Sequence, residues 1–111
     1  MNLTMQTRNM RLTKQVREWI ERRLAFALGR FASSLTEVRA CVSDENGPRG
    51  GVDKQCTLEA RLRSSGSVLV EVRDADTESA VSRAADRLAR RVRDTLAKRR
   101  DVRRRQRADR E

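Results

Sequence analysis

The sequence predicts an α+β fold, a two-layer sandwich in which a four-stranded mixed sheet carries two helices on one face. Four short segments alternate apolar and polar residues, as half-buried strands do. Two longer segments repeat apolar residues at spacings of three and four, which is typical of amphipathic helices. The order is β-α-β-β-β-α within 111 residues, about the length of one domain. Placing both helices on the apolar face of one sheet buries every apolar stripe.

The first strand and the first helix are predicted at the start of the chain. Leu3 and Met5 alternate with polar neighbours, which indicates a strand at about residues 2–8. Thr13 directly precedes an amphipathic segment and is the predicted N-cap. The apolar positions of that segment are Val16, Ile20, Leu24, Ala27 or Leu28, and Phe31. Their spacing predicts a helix with one buried face and arginines mostly off that face.

Three more strands are predicted in the middle of the chain. Residues 35–44 and 54–63 both alternate, and a turn-rich stretch with three glycines joins them. The segment Ser64-Ser65-Gly66-Ser67 predicts a tight hairpin. It leads into a fourth strand with apolar residues at Val68, Val70 and Val72.

The two cysteines are predicted to be free thiols. Matching the apolar faces of the second and third strands places Val42 opposite Cys56, on the core side. Cys41 then lies on the polar face, and diverging Cβ vectors disfavour a disulfide. With no histidine in the chain, two cysteines do not make a structural metal site, so we expect no metal.

The last predicted element is a long amphipathic helix at about residues 77–98. Its apolar positions are Val81, Ala84, Ala85, Leu88, Val92 and Leu96. We therefore expect a folded domain over residues 1–98, followed by a basic segment, 99–111. That segment is nearly all charge and buries too little to fold alone, so it either extends the helix or forms a disordered tail.

Composition narrows the function classes. The chain has 26 Lys and Arg against 16 Asp and Glu, a net charge of +10. This excess predicts a polyanionic partner, and nucleic acid is favoured over an anionic membrane. No apolar run could span a bilayer and no secretory signal is visible, which favours a cytoplasmic protein without a membrane partner.

Catalysis is not predicted. Histidine, the commonest general base, is absent, and no serine lies in a nucleophile elbow. Asp44, Glu45 and Asp53 share one loop, where carboxylates are usually turn formers rather than a catalytic pair. We therefore expect no enzyme activity, no cofactor and no small-molecule substrate.

The candidate RNA-binding residues are basic side chains of the two helices. On the last helix, four arginines form a ridge beside the core face, at 100° per residue, and a lysine follows them. The alternative is a solvated face with intrahelical pairs, Asp86 with Arg90 and Asp94 with Lys98. With the basic first helix included, the predicted set is Arg22, Arg23, Arg83, Arg87, Arg90, Arg91 and Lys98.

The open sheet face is predicted to carry no aromatic residue. Single-strand readers usually stack bases on exposed aromatics. Its predicted residues are Thr4, Gln6, Glu37, Arg39, Thr57, Glu59, Arg61 and Glu71. Phosphate, shape and 2′-OH contacts to structured RNA are therefore favoured over an RRM-like platform.

A family resemblance rests mainly on residues 76–92, which read DTESAVSRAADRLARRV. They resemble the pattern Asp-x-Tyr-x-Ala-Ile-Asp-x-x-x-Asp-Lys-Leu-x-x-Gln-Leu of the ribosome hibernation-promoting factor family, also called ribosome-associated inhibitor A or sigma-54 modulation proteins. The matching positions are Asp76, Ala80, Val81, Asp86, Arg87, Leu88 and Val92. Glu78 replaces the family tyrosine and Ser82 replaces an aspartate. The first helix is similar too, and the resemblance covers about residues 2–98.

The resemblance implies a ribosome-associated translation inhibitor that acts by occupancy, without catalysis, in starved or stationary cells. Such proteins bind the small ribosomal subunit between head and body, where mRNA and tRNA would lie. By position, Arg87, Arg90 and Arg91 are the implied rRNA contacts. The chain is similar to the short form of the family, which implies a monomer off the ribosome that does not pair ribosomes alone.

Two other interpretations stay open at the level of sequence. The predicted sandwich is close to that of double-stranded-RNA-binding domains. The same basic residues therefore also fit a ribosome-assembly protein or a module that binds duplex RNA. The sigma-factor label of the family favours instead a protein-interaction module. Nuclease-resistant binding to a protein partner would distinguish this last class from both RNA-binding classes.

Overall fold

The computed structural model describes residues 1–45 and 53–110, and it has the predicted order of elements. The elements are β1 (Asn2–Arg8), α1 (Lys14–Leu28), a 3₁₀ helix (Gly29–Ser34), β2 (Leu35–Asp44), β3 (Lys54–Leu62), β4 (Ser67–Asp74) and α2 (Thr77–Arg110). The glycine-rich part of the predicted β2–β3 connection lies outside the described residues. The α+β prediction is confirmed.

The four strands form one mixed sheet in the order β1-β2-β3-β4. Strand β1 runs parallel to β2, and the two following pairs are antiparallel. Val42 lies opposite Cys56, the register that matching of the apolar faces predicts. Strands β1 and β4 are the two edges of the sheet. The hairpin between β3 and β4 turns at Gly66, whose φ of 77° is readily adopted only by glycine.

Helix α1 begins at the predicted cap and ends earlier than its apolar stripe suggests. The hydroxyl of Thr13 accepts a hydrogen bond of 3.1 Å from the amide of Val16. The α-helix stops at Leu28, and Phe31 lies in the 3₁₀ helix that follows. Tighter 3₁₀ turns are common at helix ends. They keep Phe31 packed against the core while the chain enters β2.

Replacing the cap should cost measurable stability. Thr13→Ala removes the hydroxyl that satisfies the Val16 amide, and loss of such a cap typically costs about 1 kcal/mol. We expect the melting temperature to fall by about 4 °C, measured by circular dichroism. Thr13→Ser keeps an acceptor at the same place and should melt close to the wild type. Equal melting of all three proteins would contradict a stabilising cap.

The core lies between the sheet and the two helices. Each of the two helices contributes apolar residues, and so does each of the strands β2, β3 and β4. The largest fully buried apolar side chains are Ile20, Leu24, Leu28, Leu35, Leu58 and Leu88. Cys56 belongs to this core, where burial raises the pKa of its thiol to about 12. Cys41 is half-buried, and both cysteines are free.

Helix α2 starts at an aspartate cap and continues well past the sheet. The carboxylate of Asp76 accepts hydrogen bonds of 3.0 Å from the amide and the hydroxyl of Ser79. The helix has 34 residues, a length of about 51 Å at the α-helical rise. Its last buried residue is Val92, and residues 100–110 are all exposed. Residues 99–110 therefore continue the helix, the first of the two predicted alternatives for this segment.

Neither helix carries an apolar stretch that is long enough to cross a bilayer, in the part of the chain that the structure describes.

Candidate nucleic-acid interface

The predicted basic residues divide among four places on the helical side of the molecule. Three arginines of α2 reach the free edge of β4, and Arg23 and Arg90 line a groove between the two helices. Lys98 lies close to the β3–β4 hairpin. Arg22 is exposed on α1. All seven predicted residues therefore lie on the helical side, but they do not form one cluster.

Three arginines at a spacing of four residues bind the edge of β4. The Nη1 atoms of Arg83, Arg87 and Arg91 donate to the backbone carbonyls of Arg73, Glu71 and Leu69, at 3.3, 3.3 and 2.8 Å. We call these three side chains the arginine ladder. Four residues of helix rise about 6.0 Å and two residues of strand about 6.6 Å, so the helix and strand stay in step.

The arginine ladder has a structural consequence and an electrostatic one. Carbonyls on an edge strand are open to pairing with another chain, and the ladder covers three of them. A guanidinium has five N–H donors, so a contact through Nη1 leaves others that a phosphate could accept from. The ladder thus holds its positive charges in fixed positions along one flank of the molecule.

The members of the ladder differ in how far their charge is balanced. Arg83 also donates to the carboxylate of Asp74 at 3.0 Å. The amide of Asp76 and the guanidinium of Arg83 lower the pKa of Asp74 from its ordinary value. Within the described residues, Arg87 and Arg91 have no carboxylate within 4.0 Å. Their charge is therefore available to an anionic partner.

A second basic surface lies between α1 and α2, and we call it the inter-helix groove. Its lining residues are Arg23, Phe26, Ala27, Arg30, Asp86, Ala89, Arg90 and Arg93. Arg23 joins the helices, because its Nη2 donates to the carboxylate of Asp86 at 2.7 Å and to the carbonyl of Ser82 at 3.3 Å. Arg23 is thus engaged within the protein, while Arg30, Arg90 and Arg93 are exposed beside it.

The intrahelical pairs that the spacing predicts are replaced by other contacts. Among the described residues, Asp86 pairs with Arg23 of the other helix instead of Arg90. Asp94 pairs with its neighbour Arg93 at 3.2 Å instead of Lys98. The i,i+4 rule considers one helix alone, whereas a packed partner helix offers Asp86 a closer cation. Arg90 and Lys98 are consequently left without a carboxylate partner in the described structure.

Sequence reasoning missed three members of the inter-helix groove, Phe26, Arg30 and Arg93. The signal was present for two of them. Phe26 follows Arg23 by three residues and Arg30 follows Phe26 by four, a spacing that indicates one side of a helix, off its apolar stripe. In the structure, Arg30 lies in the 3₁₀ helix that directly follows α1. The guanidinium of Arg30 lies 5.0 Å from the centre of the Phe31 ring, a cation–π contact that orients it.

The projecting end of α2 forms a third basic region. Arg99 donates to the hydroxyl of Ser64 at 2.7 Å and to the carbonyl of Ser65 at 2.8 Å, which fixes the helix to the β3–β4 hairpin. Beyond it, residues 100–110 form an exposed helical arm. Its basic residues are Arg100, Arg103, Arg104, Arg105, Arg107 and Arg110, against the acidic Asp101 and Asp109.

The opposite side of the molecule carries basic and acidic side chains in similar numbers. On the open sheet face, Arg39 pairs with Glu37 at 3.1 Å and Arg73 pairs with Glu71 at 3.8 Å. The exposed apolar side chain there is Leu69, and the three aromatic residues of the chain all lie outside the strands. The excess of positive charge therefore lies on the helical side and the arm.

Two acidic residues near the end of β2 share one cation, Lys54. The Nζ atom of Lys54 lies 2.9 Å from Asp44 and 3.5 Å from the buried Asp53. Glu45 accepts from the hydroxyl of Ser43 at 2.9 Å. In the described ranges, no group of three or more acidic or cysteine side chains is placed to hold a metal ion.

Fold and charge together define a small basic α+β protein with two helices over one face of a four-stranded sheet. The sequence model described as "Sigma 54 modulation protein / S30EA ribosomal protein" matches residues 3–100. The chain therefore belongs to this family of ribosome-associated modulation proteins, and the resemblance found in the sequence is confirmed.

Solved structures agree with this assignment. The N-terminal domain of Protein Y from Thermus thermophilus is 28% identical, with a TM-score of 0.68, over 83% of this chain and 96% of that domain. A ribosomal subunit interface protein from Coxiella burnetii is 13% identical, with a TM-score of 0.63, over 91% of this chain and 99% of that one, and shows the shared fold. Comparison with curated proteins gave no match.

Proposed function

We propose that this protein is a cytoplasmic, non-enzymatic translation inhibitor that binds rRNA of the small ribosomal subunit during stress or stationary phase. It lies between the head and body of the subunit, where mRNA and tRNA would bind, and inhibits initiation by occupying that space. It acts as a monomer. The proposal rests on membership of a ribosome-associated family together with the charge distribution of the helical side.

The observation that carries the proposal is a set of exposed arginines without acidic partners on the helical side. Within the described residues, Arg22, Arg30, Arg87, Arg90 and Arg91 have no carboxylate within 4.0 Å. Such charges favour phosphates, which accept charge-assisted hydrogen bonds from guanidinium groups. Because glutamates accompany the arginines of the sheet face, with Arg39 and Arg73 in ion pairs, we expect the helices and the arm to face the RNA.

The geometry favours recognition of a structured RNA over reading of a short sequence. The arginine ladder and the inter-helix groove lie on opposite flanks of α2 and fix cations over a broad surface. Backbone and shape contacts of this kind position a protein on folded RNA. We assign the rRNA contacts to Arg22, Arg23, Arg83, Arg87, Arg90, Arg91 and Lys98, with Arg23 acting mainly by holding the two helices together.

Cosedimentation with separated ribosomal subunits tests the proposal. We expect saturable binding near one protein per small subunit and weaker, non-saturating binding to the large subunit. Equal binding to both subunits that disappears at moderate salt would contradict it and indicate a generic basic protein. Binding to isolated duplex RNA as tight as to the small subunit would favour a duplex-RNA module. The family description also names sigma-54 modulation, and a nuclease-resistant complex with a protein partner would favour that role.

The helical arm should add affinity that depends strongly on salt. Deleting residues 100–111 removes six arginines but keeps Arg99 and its contacts with the hairpin. The slope of log affinity against log salt is negative, and each lost phosphate contact makes it less steep by roughly 0.7 to 0.9. We expect weaker binding to small subunits and a flatter slope, measured by cosedimentation from about 50 to 200 mM salt. An unchanged slope would contradict a role for the arm in RNA binding.

A further inference from the structure

The most exposed large apolar side chain of the described structure is the ring of Phe26. It is 87% exposed, whereas Phe31 and Trp19 pack against the core. On α1, Phe26 lies about 160° around the helix from Leu24 and also from Leu28, so it projects away from the apolar stripe. The ring makes no contribution to the core, and its exposure to water has no structural explanation in the fold.

The surroundings of Phe26 are basic on both helices. Arg23 and Arg30 flank it on its own chain segment, and Arg90 and Arg93 lie across the inter-helix groove. The acidic groups nearby are engaged, since Asp86 pairs with Arg23 and Asp94 pairs with Arg93. Ala27 and Ala89 also line the groove, and these small side chains leave space beside the ring. An exposed π-face therefore stands among cations in a surface groove.

We propose that Phe26 is a stacking platform for one unpaired nucleobase of the RNA, with Arg30 and Arg90 binding the phosphates on either side. This inference rests on the proposed function and adds a base contact to an interface otherwise made of phosphate contacts. Every nucleobase offers a π-face, so stacking on an aromatic ring is tolerant of sequence. Arginines beside the ring match the negative backbone of a nucleic acid, which favours RNA over a protein partner that an apolar patch alone would suit.

The orientation of the neighbouring arginines supports this arrangement. Arg30 is held by its cation–π contact with Phe31, 5.0 Å from the ring centre. Arg23 is held by Asp86 and the carbonyl of Ser82. Two of the cations around Phe26 are thus fixed before binding, and less side-chain entropy is lost when RNA arrives. Arg90, without a carboxylate in the described residues, supplies the charge on the α2 side of the groove.

The test compares Phe26→Ala, Phe26→Leu and Phe26→Trp with the wild type, using purified small subunits over a salt series. Because the ring is exposed, all variants should melt at the wild-type temperature. Stacking predicts that Phe26→Ala and Phe26→Leu bind about tenfold or more weakly, while Phe26→Trp keeps full affinity. The salt slope should be the same for all four proteins, since no phosphate contact is removed.

A direct readout uses the Trp19→Phe/Phe26→Trp variant, in which the indole at position 26 is the single tryptophan. Its fluorescence should be quenched by small subunits through base stacking. Wild-type affinity of Phe26→Ala or Phe26→Leu, or unquenched fluorescence in the bound state, overturns the stacking inference alone. Absence of saturable small-subunit binding by the wild type overturns the proposed function, and this inference with it.

Discussion

The double variant Arg22→Glu/Arg90→Glu should bind small ribosomal subunits at least a hundredfold more weakly than the wild type. Both side chains are exposed and lack carboxylate partners in the described structure. A hydrogen bond to a charged group contributes about 1.5 to 3 kcal/mol, so loss of two such contacts costs roughly 3 kcal/mol or more. The salt slope should also flatten by about 1.5. Cosedimentation over a salt series measures both effects.

The choice of these two positions avoids a structural complication. Reversing the charge of Arg87 and Arg91 by substitution with glutamate would also remove two hydrogen bonds to the β4 edge. A loss of binding could then result from the uncovered strand edge instead of the lost charge. Arg61→Glu/Arg73→Glu is the matched control, because it makes the same change of charge on the open sheet face. We expect it to bind within a few fold of the wild type. Equal losses in both double variants would contradict an interface on the helices.

Leu88→Ala should be the most destabilising single truncation on α2. Leu88 is 0% exposed and belongs to the core between α2 and the sheet. Truncation of a buried leucine to alanine costs about 2 to 5 kcal/mol, from lost apolar burial and from the cavity that remains. This is a large part of the roughly 5 to 15 kcal/mol that stabilise a typical domain. Urea unfolding followed by circular dichroism measures the change in the free energy of unfolding.

The matched control for Leu88→Ala is the same substitution at Leu69. Leu69 is 53% exposed on the open face of β4, so its truncation should change the free energy of unfolding by about 0.5 kcal/mol or less. A second consequence separates folding from binding. Leu88 does not reach solvent, so the folded fraction of Leu88→Ala should keep wild-type affinity for the small subunit. A loss of less than about 1 kcal/mol at Leu88 would contradict the proposed packing of α2.

Local pattern was sufficient to predict the sheet and both helix starts. The period-two alternation fixes which face of a strand is apolar, and matching faces gave the pairing of Val42 with Cys56. Thr13 was predictable as a cap because a short polar side chain directly precedes the apolar repeat. These features depend on neighbours in sequence, which is why they needed no knowledge of the tertiary structure.

The contacts of the arginines depend on neighbours that are distant in sequence, and pattern alone did not predict them. The arginine ladder requires β4 to be an edge strand that runs beside α2 in matching register. The Arg23–Asp86 pair requires the two helices to pack side by side. The exposed ring of Phe26 was missed because the sequence was searched for apolar residues at helical spacing, and Phe26 lies outside that stripe.

The arginine ladder links stability of the fold to the proposed interface. The same side chains cover carbonyls of the β4 edge and present charge to solvent, so the edge is protected by residues that an RNA partner can also use. A sheet edge covered by cations resists pairing with a second chain. This arrangement agrees with the proposed monomer, in which a chain of net charge +10 keeps its sheet edge covered until it binds RNA.

Chemical footprinting of rRNA on small subunits tests the central claim most directly. The wild type should protect nucleotides between the head and body of the subunit, around the decoding region, at near-stoichiometric protein. Arg22→Glu/Arg90→Glu should lose these protections, while Arg61→Glu/Arg73→Glu should keep them. Protections confined to other regions of the subunit, or spread evenly over exposed helices, would contradict occupation of the mRNA and tRNA channel.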